Sequence, residues 1–336
     1  MPRRSTSIPP RDINNEIFQD IVDDPKRKGA VRSKMSPWIF STRMFVLFVL
    51  CLQNSLFTIL RRYSQGVLHE IYSKHEVLFV GEAIKMVFAL CVLARSLPEG
   101  ETIYRRGFYL AKRSRKMVVL ALIYGAMNIL SYVALRNIGA GIFTVFAQCK
   151  ILTTATFSSI ILRRRYSWAR WRALVSLMLG VVLFTEPIWS DTSKTRLKEG
   201  GSVLLGVGAV LTEVSLSGFA SIYFEKVIKT DPEQMGIWER NFQLALCSMP
   251  VYVIFISLNH GGQAGFAGGW SALACVLTLL GAAGGLLVAL SIKYGDSILK
   301  TLATTGAIII SSILDHVFLD GPLTPVMVIA GTQVVI

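Results

Sequence analysis

Ten apolar runs, most of them about 17 to 25 residues long, follow one another along this chain from residue 44 onward, and a helix needs about 20 such residues to cross the hydrocarbon core of a bilayer. Backbone inside lipid must satisfy its own hydrogen bonds, which leaves helices or a closed barrel, and runs of this length select helices. The segments fall at 44–60, 77–94, 117–135, 138–162, 173–189, 201–224, 242–258, 269–292, 298–318 and 323 onward. The last reaches Ile336 after about 14 residues, short of spanning length, and is expected to be a truncated helix of a chain lacking its natural C-terminal end. Residues 1–43 carry Pro9-Pro10 and Lys26-Arg27-Lys28 without apolar periodicity and read as a disordered basic tail. No cleavable signal peptide opens the chain, so the first spanning helix is expected to act as the targeting signal.

A formal net charge of +14 would suggest nucleic acid in a soluble protein. Here the charge lies between the apolar runs and alternates in a way that argues against nucleic acid. Counting Lys and Arg on successive sides gives 25 on the side of the N-terminus against 7 on the other, with Lys85, Lys150 and Lys300 inside segments. This bias predicts a cytosolic N-terminus and supports the segment boundaries, because one miscounted helix would scramble the alternation downstream. The five cysteines all fall in apolar runs, form no CxxC pair, and read as small buried hydrophobes. No cofactor or metal site is indicated.

The predicted fold is therefore an all-α polytopic membrane domain over 44–336. Ten transmembrane helices divide into two five-helix halves, about 44–189 and 201–336, and an odd number per half makes the halves inverted repeats. The division rests on helix arithmetic, since no residue-level repeat is visible between them. Lys150 in segment four and Lys300 in segment nine do occupy positions that such halves would relate.

Ionisable residues inside spanning helices are expensive and point to function or to pairing. Lys150 sits near the middle of FTVFAQCKILTTATF, with Gln148 beside it; it either faces a central cavity or forms a buried salt bridge with Glu82 or Glu213. Lys293 and Lys300 bracket the start of segment nine, two helical turns apart, with Asp296 available to neutralise either; anion contact and interfacial anchoring both remain open. Glu82 and Lys85, spaced i, i+3, are expected to pair with each other. Asp315 and His316 are expected to be interfacial. Tyr124, Asn128 and Tyr132 recur at four-residue spacing as one stripe that either reads a base or joins helices, and Gln53 and Asn54 allow the same two readings. Gly284 and Gly285 permit close packing and would also admit a ligand to the backbone. A cationic cavity at mid-membrane implies an anionic substrate.

Several strings resemble the nucleotide-sugar transporters, in the branch that carries CMP-sialic acid, UDP-galactose and UDP-N-acetylglucosamine. VLCLQNSLFTILRRYS and GEAIKMVFAL resemble the family's first two helices. YGAMNILSYVALRNIGAGIFTVFAQCKILTTATFSSIILRRRYSWARW resembles helices three and four with the basic loop beyond. SGFASIYFEKVIK with WERNFQL, and GGLLVALSIKYGDSILKTLAT, resemble helices six to nine. The resemblance runs from about residue 44 to the end. It implies the drug/metabolite transporter fold and antiport of a cytosolic nucleotide-sugar for lumenal nucleoside monophosphate, at a Golgi or endoplasmic reticulum membrane. Tyr124 and Asn128 match nucleotide contacts; Lys150, with Gln148, and Lys293 match the candidate phosphate partners, and Lys300 matches a further family lysine. The chain departs from the family pattern at Met127, Ile129, Phe143, Ala147 and Ser297.

Gln53-Asn54 in the first helix looks more like the UDP-sugar members, with CMP-sialic acid or another small metabolite on the same fold as the alternatives. An enzyme is disfavoured: a membrane glycosyltransferase needs an acid/base or metal site and usually a sizeable soluble domain, whereas the longest loop here is about 22 residues.

Overall fold

The computed structural model describes residues 37–70, 72–97, 100–190, 201–233, 235–259 and 268–335. The basic tail therefore lies almost wholly outside the described residues. Residues 43–336 form one compact unit. In chain order the helices are α1 (Pro37–Arg62), which ends in a π-helical turn at Tyr63–Val67, α2 (Lys74–Arg95), α3 (Ile103–Lys112), α4 (Arg115–Asn137), α5 (Ala140–Ala147), α6 (Lys150–Ile161), α7 (Trp168–Phe184), α8 (Glu186–Trp189), α9 (Val203–Thr230), α10 (Ile237–Asn259), α11 (Ala272–Tyr294), α12 (Ser297–Leu319) and α13 (Pro325–Val335). The described residues contain no strand.

Eight helical stretches among the described residues are long and apolar enough to span a membrane: Thr42–Arg62, α2, α4, the joined α5–α6 stretch Ala140–Ile161, α9, Ile237–Leu258, α11 and α12. The chain is a multi-pass membrane protein. α13, at 11 residues, is a shorter apolar helix, and α7 has 17 residues. Outward-facing side chains such as Phe45, Leu122, Ile254 and Ile329 are large and apolar, as lipid contact requires.

α9 forms the spine, packing along α4 on one side and α6 on another; α2 packs against α10 and α11, and α7 against α13. Since lipid is as apolar as leucine, such packing depends on small residues that let helices approach closely. An added Cβ at Gly218 of α9 would stand 2.7 Å from Thr153 Oγ1 of α6, so only glycine fits that crossing. Thr153 then donates to the Val214 carbonyl at 3.1 Å.

Two departures from the expected segments have simple causes. α3 lies within what reads as a loop, because its ten residues, IYRRGFYLAK, are interrupted by Arg105-Arg106 and carry no apolar run of spanning length. α9 continues to Thr230 rather than stopping at 224, because Glu225 and Lys229, one helical turn apart, pair at 2.9 Å and neutralise each other. Cys91 and Cys275 face outward, unlike the buried cysteines expected from composition, while Cys51, Cys149 and Cys247 are partly buried.

Candidate functional site

The fourth apolar stretch is not one regular helix. Between α5 and α6 the backbone tightens at Gln148 and Cys149, whose N–H groups donate to Val145 and Phe146 at 3.2 and 3.1 Å in the i→i−3 pattern. A mid-span tightening of this kind often marks a functional hinge. Lys150 is the first residue beyond it, half-buried and within electrostatic reach of Glu213 on α9. Ser131 of α4 hydrogen-bonds Glu213, whose second carboxylate oxygen is buried without a hydrogen-bond partner.

Lys300 approaches from α12. Its ammonium is buried, 9% exposed, and donates to Ser221 Oγ of α9 at 3.0 Å. Lys150 and Lys300 are close enough to feel each other's charge, and among the described residues neither forms an ion pair. Lys293 is placed differently. It ends α11, is exposed, and lies 5.5 Å from the ring centroid of Tyr294. Asp296 meets neither lysine; it caps α12 by accepting from Leu299 N–H at 2.8 Å and lies 3.8 Å from Arg164.

Glu82 and Lys85 pair on α2 at 2.7 Å. Lys85 rests against Gly285, where an added Cβ would come within 3.0 Å of its amine, and Gln53 fills the matching space at Gly284. Gln53 also donates to the Leu280 carbonyl at 2.8 Å, so both glycines seat side chains from neighbouring helices. Asn54 and Asn128 donate to the carbonyls one turn back in their own helices, at Leu50 and Tyr124, and Gln148 does the same to Thr144. Tyr124 and Asn128 face inward with Tyr252 of α10, which hydrogen-bonds Asn128 and senses Glu82. Tyr132 leaves the stripe and is 69% exposed. Each i+4 step drifts about 40° around a helix, so two steps carry a residue about 80° from the starting face.

Sequence reasoning missed a network at the end of the bundle where α6 and α9 terminate. Glu225 is fully buried and accepts from Arg164 Nη2 at 2.6 Å, Lys229 Nζ at 2.9 Å and Ser297 N–H at 2.9 Å. Burial works against the Arg164 charge, but the Glu225 and Asp296 carboxylates outweigh it and hold the guanidinium proton more tightly than usual. The signal was present as an acid and a base four residues apart at a helix end. At the far ends of α1 and α12, Arg62 pairs with Asp315, and His316 Nδ1 meets the Gly321 carbonyl at 2.8 Å.

Comparison with known proteins supplies the family. The nucleotide-sugar transporter model matches residues 39–336. A UDP-galactose/UDP-N-acetylglucosamine transporter of Caenorhabditis elegans is 34% identical over 80% of this chain and 73% of its own length. A UDP-N-acetylglucosamine/UDP-N-acetylgalactosamine transporter of the same organism is 33% identical over 87% of this chain and 91% of its own. A solved structure at 13% identity shares the fold with a TM-score of 0.58, covering 85% of this chain and 95% of that one. With nearly its whole described length inside the match, the chain belongs to the nucleotide-sugar transporter family.

Proposed function

We propose that this protein exchanges a cytosolic UDP-sugar, such as UDP-N-acetylglucosamine or UDP-galactose, for lumenal nucleoside monophosphate across the Golgi membrane, by alternating access. The observation that carries the reading is the packing of α12 on α6, which brings Lys300 and Lys150 within electrostatic reach of each other. Two ammonium groups from different helices, without carboxylate ion pairs among the described residues, repel each other in a low-dielectric interior. A phosphate between them removes that repulsion and gains charge-assisted hydrogen bonds. Lys293 is exposed at the end of α11, which supports its assignment as the first contact of the anion, while Tyr124 and Asn128 lie on α4 and Gln148 at the end of α5. The names of the two relatives above, both UDP-sugar transporters, favour uridine nucleotides over CMP-sialic acid.

Ten spans in two inverted halves, with the N-terminus cytosolic, complete the reading. Its support is a pattern of matched contacts. Ser55 of α1 donates to the Ala307 carbonyl of α12 at 3.1 Å, and Thr153 of α6 donates to the Val214 carbonyl of α9 at 3.1 Å; spans one and nine thereby relate to spans six and four. Packing of α2 on α11 corresponds likewise to that of α10 on α4. An empty carrier must bring two cations without an ion-pair partner among the described residues through the transition, which slows empty return and favours exchange.

The test is uptake of labelled UDP-N-acetylglucosamine into proteoliposomes loaded with UMP. Lys150→Gln and Lys300→Gln should each reduce exchange about 10- to 100-fold, the worth of one charged hydrogen bond. Wild-type exchange in both variants would overturn the phosphate role.

A further inference from the structure

We propose that Glu225 is a positioning residue for substrate exchange: one buried carboxylate fixes the two helices that carry Lys150 and Lys300 relative to each other. The inference rests on the phosphate role proposed for those lysines.

Both arms of the arrangement start at the same side chain. Toward α12, Glu225 accepts the N–H of Ser297, the first residue of that helix, at 2.9 Å. Ser297 Oγ donates to the Ser221 carbonyl at 3.0 Å, and Lys300, three residues on, donates to Ser221 Oγ. α9 thus presents Ser221 and Glu225, one turn apart, to Lys300 and Ser297, also one turn apart. The register of α12 on α9, and with it the direction of the Lys300 amine, is set by these contacts.

Toward α6, Glu225 accepts from Arg164 at 2.6 Å. Arg164 is not on a loose loop. Its N–H reaches back to the Ser158 carbonyl at 3.5 Å, the Ser158 and Tyr166 hydroxyls lie 2.7 Å apart, and Arg163 takes the left-handed conformation that folds the chain onto the helix end. α6 is a single rod beginning at Lys150, so holding its far end holds the azimuth of that lysine. Lys229, paired with Glu225 and also donating to the Gly295 carbonyl, closes the third side.

A carboxylate suits the place because its two oxygens accept from all three donors while its charge answers Arg164 and Lys229. Glutamine keeps an acceptor for Ser297 but gives up the ionic hold on Arg164. A reciprocal exchange, Arg164→Glu with Glu225→Arg, restores an ion pair but leaves Ser297 N–H without its acceptor.

The experiment measures UMP and uridine affinity of purified protein, together with KM and kcat for UDP-N-acetylglucosamine exchange. Glu225→Gln is expected to weaken UMP about tenfold while leaving uridine nearly unchanged, so that the UMP-to-uridine ratio falls and KM rises more than kcat drops. Glu225→Asp should recover part of the ratio, and the reciprocal exchange should not. A merely structural role would weaken both ligands alike or lower thermal stability at a constant ratio, and either result overturns the proposal. Should Glu225→Gln fail to fold, Arg164→Gln removes the α6 arm alone; an unchanged ratio in that variant overturns the proposal equally. Loss of UMP binding in Lys150→Gln and Lys300→Gln with a wild-type ratio in Glu225→Gln would sink this inference alone, whereas unchanged UMP binding in the lysine variants would sink the phosphate reading beneath it.

Discussion

Lys300 and Ser221 are joined at 3.0 Å, ammonium to hydroxyl, inside the contact between α12 and α9. An ammonium has three donors, so it can keep this hydrogen bond and still offer two to a phosphate. Ser221→Ala should let the amine swing and weaken UMP binding by about 1 kcal/mol, roughly fivefold. Ser221→Thr, which retains the hydroxyl, should stay near wild type. Titration calorimetry on the purified carrier separates the two.

Gly284 offers a packing test away from the lysines. A methyl there would stand 2.6 Å from Gln53 Nε2, whereas nothing lies within 4 Å of one added at Gly208. Gly284→Ala should therefore displace the Gln53 amide from the Leu280 carbonyl and lower stability by about 0.5–1.5 kcal/mol, the net worth of one such hydrogen bond. Gly208→Ala should be neutral or slightly stabilising. Thermal unfolding in detergent reads both.

Arg62 is half exposed while its partner Asp315 is buried, with side chains 53% and 9% exposed. Arg62→Ala strands a buried carboxylate and should cost about 1–3 kcal/mol. Adding Asp315→Asn removes the stranded charge and should restore most of the loss, so the pair should be clearly non-additive. Additive effects in the double-mutant cycle would show that the two side chains act independently.

Asp231, beyond the end of α9, gives a pH dependence. Burial alone would raise its pKa, but the Lys116 hydrogen bond, the Glu233 N–H and the charges of Arg240 and Lys116 hold the carboxyl below its usual range. A depressed folded value contributes stability that is complete above the unfolded pKa of about 3.9 and disappears as pH falls through the lower folded value. The thermal midpoint should thus decline on acidification through that window. Asp231→Asn should start lower at neutral pH and show a shallower acid limb.

Apolar runs made the spans legible because lipid demands length and uniformity, and α2, α4, α11 and α12 lie within a few residues of their expected limits. α3 was hidden by the same reasoning, since a helix that exposes Tyr104 and Phe108 beside Arg105 and Lys112 has no apolar run to count. Of the candidate site, Lys150 was visible as a cation deep in an apolar stretch. That Lys300 rather than Lys293 lies beside it depends on how α11 gives way to α12 at Gly295 and Asp296, a turn whose direction spacing alone does not encode. The contacts of Ser221 and Glu225 with α12 were invisible because a serine and an acid–base pair near a helix end are ordinary until a second helix is laid against them.

α3 has one more consequence. Arg106 Nε and Arg113 Nη1 reach Glu239 and Glu233 at 2.9 and 2.7 Å, Gln243 donates to the Leu110 carbonyl at 2.9 Å, and Lys116 and Arg240 grip Asp231 together. The connection after α2 is thereby stitched to the connection before α10, and under the proposed division these strands of stitching belong to different halves. The fastened edge is built from ion pairs in these connections and in the first turns of α4 and α10. Under the proposed exchange, opening toward this face has to part or slide these ion pairs, whereas opening toward the opposite face does not.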